Sequence, residues 1–298
     1  MSRSPRSPRS PRSPRSPRLS TTGPTRRAAL ALTAALTASI TLAACGEEDT
    51  AAGGGDSGEA KVLKVGVNPV PHGEILTFVK DELAADAGLE IEVVEFTDYV
   101  QPNQALDAGD LDANYFQHEP YLAEQEASGG FDFESIGAVH LEPLGVYSEK
   151  VEDLSELGGD SKVAIPNDPS NAGRALKLLA AEGVLELADT GDSAPTPADV
   201  ADGGPQIVEL EAAQLPRSLG DVDAGVINGN YAIEADLSPT KDSLALEESE
   251  GNPYANLLVT RTEDAQDEDL KKLAELLRSE EVKSYIGENY EGTVIPAE

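Results

Sequence analysis

Between Val62 and Tyr290 short β-rich runs alternate with helix-like stretches, and this alternation restricts the chain to few architectures. VLKVGVN (62–68) and LEIEVVEF (89–96) place apolar residues at every second position, the period of a strand with one buried face. Between them GEILTFVKDELAADAG (73–88) places Ile75, Leu76, Val79 and Leu83 at helical spacing and stops at Gly88. PNQALDAG reads as a short helix; LDANYF, FESIGAVHL and LGVYSE read as strands. A second series begins with the strand KVAIPN (162–167) and the helix SNAGRALKLLAAEG, striped by Leu176, Leu179 and Ala180. A Pro- and Gly-broken loop (191–205), the strands QIVELE and DAGVING, a strand PYANLLVTR and one amphipathic helix over 267–290 complete it. Such an order argues for α/β architecture with largely parallel sheets, and two series suggest two lobes with a cleft between them.

The residues before this series cannot build a core. Ser2 to Arg18 repeat Ser-Pro-Arg, with no apolar residue and a proline at every third place. Arg26 and Arg27 then precede an uncharged, Ala/Leu-rich run, Ala28 to Ala44, that ends at Cys45. A basic segment, an apolar segment and small residues before a cut read as a secretory signal over 1–44. A retained membrane anchor is the alternative, for which the run is near the lower length limit. Arg26–Arg27 leaves the choice between general and twin-arginine export open. LAAC, Leu42 to Cys45, has the form of a lipobox, so Cys45, the only cysteine, is expected to carry lipid as the mature N-terminus. Residues 45–60 then form a Gly/Asp/Glu-rich tether.

All 55 acids follow Cys45, whereas eight of the 22 Lys+Arg are leader arginines, so cleavage takes the net charge from −33 to −41. That surface repels phosphates and excludes nucleic acid as a partner.

No G-x-S-x-G elbow, Walker A loop or post-strand G-x-G-x-x-G occurs, so neither a catalytic residue nor a cofactor is assigned. The three histidines, His72, His118 and His140, could make a His₃ metal site, but none stands in an H-x₃-H pair and no metal ligand is assigned. A binding site is better supported. Aromatics are 4% of the chain, yet Tyr115, Phe116, His118 and Tyr121 crowd one stretch. Strand alternation there puts Asn114, Phe116 and His118 on one face and Tyr115 and Gln117 on the other. Arg174 lies early in a helix that follows the turn IPNDPSNAG, where a guanidinium and free helix N–H groups could take a carboxylate. In GVINGNYA, a continuing strand would put Val226, Asn228 and Asn230 on one face, with amide oxygens able to accept from an ammonium. Together these would make a site for a free amino acid.

VEFTDYVQPNQAL, LDANYFQHEPYL, IPNDPSNAGRAL, ELEAAQLPRSL, DVDAGVINGNYA and EGNPYANLLV, in this order, resemble the signature blocks of the methionine-binding lipoproteins of the NLPA family. The resemblance implies a two-lobed type II periplasmic-binding-protein fold, not an enzyme. Lobe 1 would comprise 61–142 plus 233–298 and lobe 2 143–232, with crossings near Pro143 and Ala232. It implies a methionine side chain among Tyr99, Phe116, His118 and His140, with Tyr115 a weaker candidate. Arg174 would hold the carboxylate and Asn228 the amino group, helped by Asn230 and Asn171. The expected ligand is L-methionine, with D-methionine or a methionine-containing dipeptide as alternatives and a histidine-based metal enzyme as the rival class. The implied partners are an ABC permease and its ATPase, with the receptor held by Cys45 on the extracytoplasmic face of the cell membrane.

Overall fold

The computed structural model describes residues 61–191 and 193–297. The leader, Cys45 and the tether lie outside the described residues.

The chain opens with β1 (Val62–Val67) and a helical stretch in which α1 (Glu74–Phe78) is flanked by π-helical turns at Pro69–Gly73 and Val79–Leu83. Ile75, Leu76 and Val79 are fully buried, as their spacing predicts, and Gly88 ends the segment at φ +71°, where a side chain would be strained. Next come β2 (Glu90–Glu95), α2 (Gln101–Asp107), β3 (Ala113–His118), α3 (Glu119–Gly129) and β4 (Phe133–Leu141). The second lobe supplies β5 (Gly145–Tyr147), β6 (Lys162–Pro166), α4 (Pro169–Ala181), β7 (Gln206–Leu210), α5 (Leu215–Ser218) and β8 (Ala224–Ile227). Then follow α6 (Gly229–Glu234), α7 (Pro239–Asp242), β9 (Ala245–Leu246), β10 (Ala255–Arg261), α8 (Glu268–Leu277), α9 (Glu280–Asn289) and β11 (Ile295–Pro296). Among the described residues no helix is long and apolar enough to cross a membrane.

Two sheets result, one per lobe, ordered β11-β4-β10-β3-β1-β2 and β7-β6-β8-β5-β9. They are mixed, which corrects the expectation of largely parallel sheets. β1, β2 and β3 pair in parallel, as do β6, β7 and β8, each joined by helical crossovers. β10 inserts antiparallel between β3 and β4, and β5 pairs antiparallel with β8 and β9. Two of the reversed strands follow a lobe crossing, β5 on entering the second sheet and β10 on returning to the first; the third, β11, pairs antiparallel with β4 at the edge of the first sheet. The segment assigned to lobe 1 from residue 233 onward also carries β9, which pairs with β5 in the second sheet (Gly145↔Leu246, Val146↔Ala245).

Two further differences have local causes. α3, which the periodicity does not single out, contains only Tyr121 and Leu122 as buried side chains, too few to mark a stripe. The helix expected over 267–290 is broken into α8 and α9 because the Ser279 hydroxyl accepts from the Val282 N–H at 3.3 Å and restarts the helix. Leu270, Leu273 and Leu277 on α8 and Val282 and Ile286 on α9 enter one core with β1 and α1, so the apolar period continues across the break. Leu176 and Leu179 of α4 are likewise fully buried, in the core of the second lobe. Ser279→Ala is expected to lower the unfolding free energy by about 1 kcal/mol, read as a shift of the urea midpoint at unchanged slope.

Candidate functional site

A cavity with about 350 Å³ of empty space lies between the lobes. One wall comes from an irregularity in β3. Tyr115 pairs with Leu258 and Gln117 with Leu257, so Phe116 has no partner on β10 and forms a β-bulge. The extra residue breaks the alternation. Asn114 and Gln117, expected on opposite faces, are hydrogen-bonded to each other at 2.9 Å, and Phe116, Gln117 and His118 all reach the cavity. Tyr115 points away, as the alternation predicts.

His118 ends β3 and caps α3: its Nδ1 accepts from the Tyr121 N–H at 3.2 Å. Nε2 therefore carries the proton and donates to Asn171 Oδ1 at 3.1 Å. Burial, reinforced by the Arg174 charge, lowers the imidazole pKa to about 3, so the ring is neutral. Asn171 is oriented by Asp168, whose carboxylate can only accept and takes the Asn171 Nδ2 protons at 3.0 and 3.2 Å. The Asn171 carbonyl thus faces the cavity, where it also accepts from Asn228 Nδ2 at 3.0 Å. With its amino group committed, Asn228 leaves Oδ1 buried and unpartnered. Asn230 is the complement: Oδ1 accepts from the Tyr99 hydroxyl at 2.5 Å, leaving Nδ2 buried and unpartnered. One free acceptor and one free donor therefore line the same cavity.

The two asparagines do not share a strand face, contrary to the expectation from the sequence. β8 ends at Ile227, and Asn228, extended at φ −62° and ψ 144°, is the residue before α6. Both side chains still reach the cavity because α6 starts against Glu142. A Cβ on Gly229 would lie 2.7 Å from Glu142 Cβ, so only glycine permits that approach.

Arg174 is 4% exposed and lies in the second turn of α4. The helix begins at Pro169, earlier than expected, and the Asp168 side chain occupies the Asn171 N–H at 2.8 Å. The helix start is therefore filled by its own cap and is not an anion site beside Arg174. The guanidinium forms a buried ion pair with Glu247 (Nε to Oε1 2.9 Å, Nη2 to Oε2 2.5 Å), donates from Nη2 to the Glu142 carbonyl at 3.0 Å, and lies 4.1 Å over the Tyr254 ring.

Tyr115 and His140 are not in the cavity wall. They stand behind it in a buried chain: the phenol bonds His140 Nδ1, and His140 Nε2 bonds Glu142 Oε1 at 2.7 Å. Burial pushes the Tyr115 phenol well above its usual range, so it is the donor, which leaves Nε2–H of the imidazole to donate to the carboxylate. Asn256 donates to Glu142 at 3.4 Å, and His72 Nε2 lies 3.3 Å from Glu142 and 3.1 Å from Asn256 Oδ1. Burial lowers the pKa of His72 to about 4 and of His140 to about 3, and raises that of Glu142.

The histidines accordingly do not form a His₃ set, since His118 is committed to Asn171. The donor atoms that come within 4.8 Å of one another are those of His72, His140 and Glu142. Their composition matches a His₂Glu zinc site, but each Nε2 is occupied by a hydrogen bond to Glu142 or Asn256. Glu142 and Asn256 are site residues that sequence reasoning missed. Each had a signal: an acid ending the apolar strand FESIGAVHL before Pro143, and a lone amide inside the apolar strand ANLLV.

Known proteins share this frame. The D-methionine-binding lipoprotein MetQ of Escherichia coli (strain K12) is 38% identical over 265 residues, 88% of this chain and 94% of that protein. A nutrient binding protein from Burkholderia cenocepacia, solved bound to methionine, matches with a TM-score of 0.76 at 46% identity, covering 79% of this chain and 100% of that one. A periplasmic substrate-binding protein of an ABC transporter from Coxiella burnetii matches with a TM-score of 0.75 at 41% identity, covering 79% of this chain and 100% of that one. The two-lobed α/β architecture is thus that of periplasmic binding proteins. The family profile described as NlpA lipoprotein matches residues 63–298, and the chain belongs to that family, one of substrate-binding lipoproteins and not of enzymes.

Proposed function

We propose that this protein is a lipid-anchored receptor that captures L-methionine outside the membrane and delivers it to an ABC permease driven by its ATPase. The observation that carries this reading is the pair of unpartnered polar atoms, Asn228 Oδ1 and Asn230 Nδ2, in a cavity between the lobes that Tyr99, Phe116 and His118 also line. A buried acceptor without a partner costs about 1–3 kcal/mol, and an α-ammonium would relieve that cost. The Asn230 amide and Arg174 would take the carboxylate, and Glu142 would balance the ammonium charge. Tyr99, Phe116 and His118 would surround the thioether, where sulfur against an aromatic ring contributes about 0.3–1.5 kcal/mol per contact. Tyr115 and His140 would act from behind, holding Glu142.

Bonds across the cleft support capture by closure of the lobes. Tyr99 to Asn230, His118 to Asn171, and Tyr231 to the Thr97 carbonyl at 3.3 Å each join one lobe to the other. A ligand touching both walls would favour this closed state. The lipid is assigned to Cys45 and the location to the extracytoplasmic face of the cell membrane, as the lipoprotein relatives suggest. D-methionine is the second reading, because the curated relatives carry it in their names.

Calorimetry on protein unfolded and refolded to strip bound ligand separates these readings. L-methionine should bind one to one and more tightly than D-methionine or a methionine dipeptide; the reverse order would transfer the assignment. Arg174→Ala should cost about 2–5 kcal/mol of binding, about 30- to 4,000-fold in Kd. An unchanged Kd would remove the carboxylate role. Phe116→Ala should weaken methionine about tenfold or more while changing alanine by less than about threefold.

The neutral histidines also set an acid limit. Each imidazole titrates below its ordinary 6.5 in the fold, so below pH 6.5 the unfolded chain binds more protons. Their contribution to stability is complete above pH 6.5 and is lost as pH falls toward 4. Glu142, raised by burial, acts in the opposite sense above pH 4.5. Urea midpoints should therefore be level from pH 8 to 6.5 and fall between 6.5 and 4, and His118→Gln should flatten that decline.

A further inference from the structure

Glu247 touches neither the free acceptor nor the free donor of the cavity, yet it governs how the only arginine in the cavity wall presents itself. Its carboxylate takes the Nε–Nη2 edge of Arg174, and the Glu142 carbonyl takes a further proton of Nη2. The Tyr254 ring covers one face of the guanidinium. Nη1 makes no hydrogen bond to any described residue, which leaves it the guanidinium nitrogen without a protein partner among them. Glu247 is itself clamped. Its backbone N–H donates to the Leu144 carbonyl at 2.9 Å, and its side chain accepts from the Leu144 N–H at 3.2 Å. Leu144 belongs to the outgoing lobe crossing, and Glu247 follows β9 on the returning one. The ion pair is thus mounted on both connections between the lobes, with side chains 4% and 15% exposed.

We propose that Glu247 is a positioning residue for carboxylate recognition: it holds Arg174 against the lobe crossings so that Nη1 alone is offered to the ligand carboxylate. This rests on the reading of Arg174 as the carboxylate partner. Two other roles for the pair are physically possible and differ in outcome. If Glu247 merely competed with the ligand for the guanidinium, removing its charge would strengthen carboxylate binding. If it merely stabilised the fold, its loss would weaken every ligand alike. A positioning role instead makes the loss specific to ligands with a carboxylate, because an unclamped guanidinium swings among its partners and loses its orientation.

The test compares methionine with methioninamide, which keeps the side chain and ammonium but lacks the carboxylate. Calorimetry is run on the full chain, its Glu247→Ala and Glu247→Gln variants, and Arg174→Ala. The natural protein should prefer methionine by at least about 30-fold. Both Glu247 variants should lower that ratio at least about tenfold while methioninamide affinity changes less than about threefold. The Gln variant, nearly isosteric, serves if the Ala variant does not fold. A ratio unchanged in folded variants, a parallel loss for both ligands, or tighter methionine binding would each overturn the positioning role and leave the Arg174 reading standing. A natural protein without preference for methionine over methioninamide would instead overturn the Arg174 reading, and this proposal with it.

Discussion

A buried carboxylate at the point where the chain leaves the first lobe organises the rest of the site. Glu142 is 5% exposed, and removing a charge from water is costly unless hydrogen bonds replace the solvent. Here they come from several sides: His140 from β4, Asn256 from β10 and the Asn230 N–H from α6, while His72, on the π-helical turn before α1, bonds Asn256 and lies 3.3 Å from the carboxylate. Neither imidazole can carry its own charge at this depth, so both serve as neutral donors. The arrangement ties the first sheet to the start of α6 and requires glycine at position 229. It also places the Glu142 carbonyl where Arg174 is held.

Seen from this anchor, the cavity has two kinds of polar group. Most are committed to one another in an order that orients each in turn: Asp168 orients Asn171, which orients Asn228 and receives His118. Tyr99 does the same for Asn230. The commitments end at two amide atoms with nothing to bond, beside His72 Nδ1, which is likewise buried and unpartnered. A protein interior rarely leaves such atoms open, and these two are of opposite kind, which is the complement of an amino acid's polar groups. The aromatic wall adds a preference for side chain without adding charge.

The buried Glu142 with its neutral imidazole partners and the Arg174–Glu247 pair place strong electrostatics at the cavity wall. The ion pair is balanced within itself, and the lone Glu142 carboxylate is held by hydrogen bonds from neutral groups. That distinguishes it from the surface, where a large excess of acids is simply solvated.

Much of this was legible in the residues. Period-two and helical spacing located β1, β2, β4, β6, α2 and α4, because a half-buried element repeats its apolar residues with its own period. The residue types of the site, scarce rings beside a histidine, one arginine after a strand and paired asparagines, were visible because each is costly to bury without a partner. What the chain alone could not reveal was decided by contacts distant in sequence. Which strands reverse depends on how β5 and β10 enter their sheets after a crossing. The bulge at Phe116 exists only against β10 and overrides local alternation, bringing Gln117 into the cavity. Tyr115 and His140, both candidates for the side-chain pocket, stand behind the wall, since their hydrogen bonds run to each other and to Glu142. Glu142 and Asn256 show only as polar residues in apolar strands and Glu247 carries no local pattern, and the roles of all three arise only when the two crossings and β10 fold together. Local periodicity therefore determined the elements and the chemistry available, while the tertiary structure decided which of those groups face the cavity and which hold them in place, because hydrogen-bond satisfaction of buried groups is settled only when all partners are assembled.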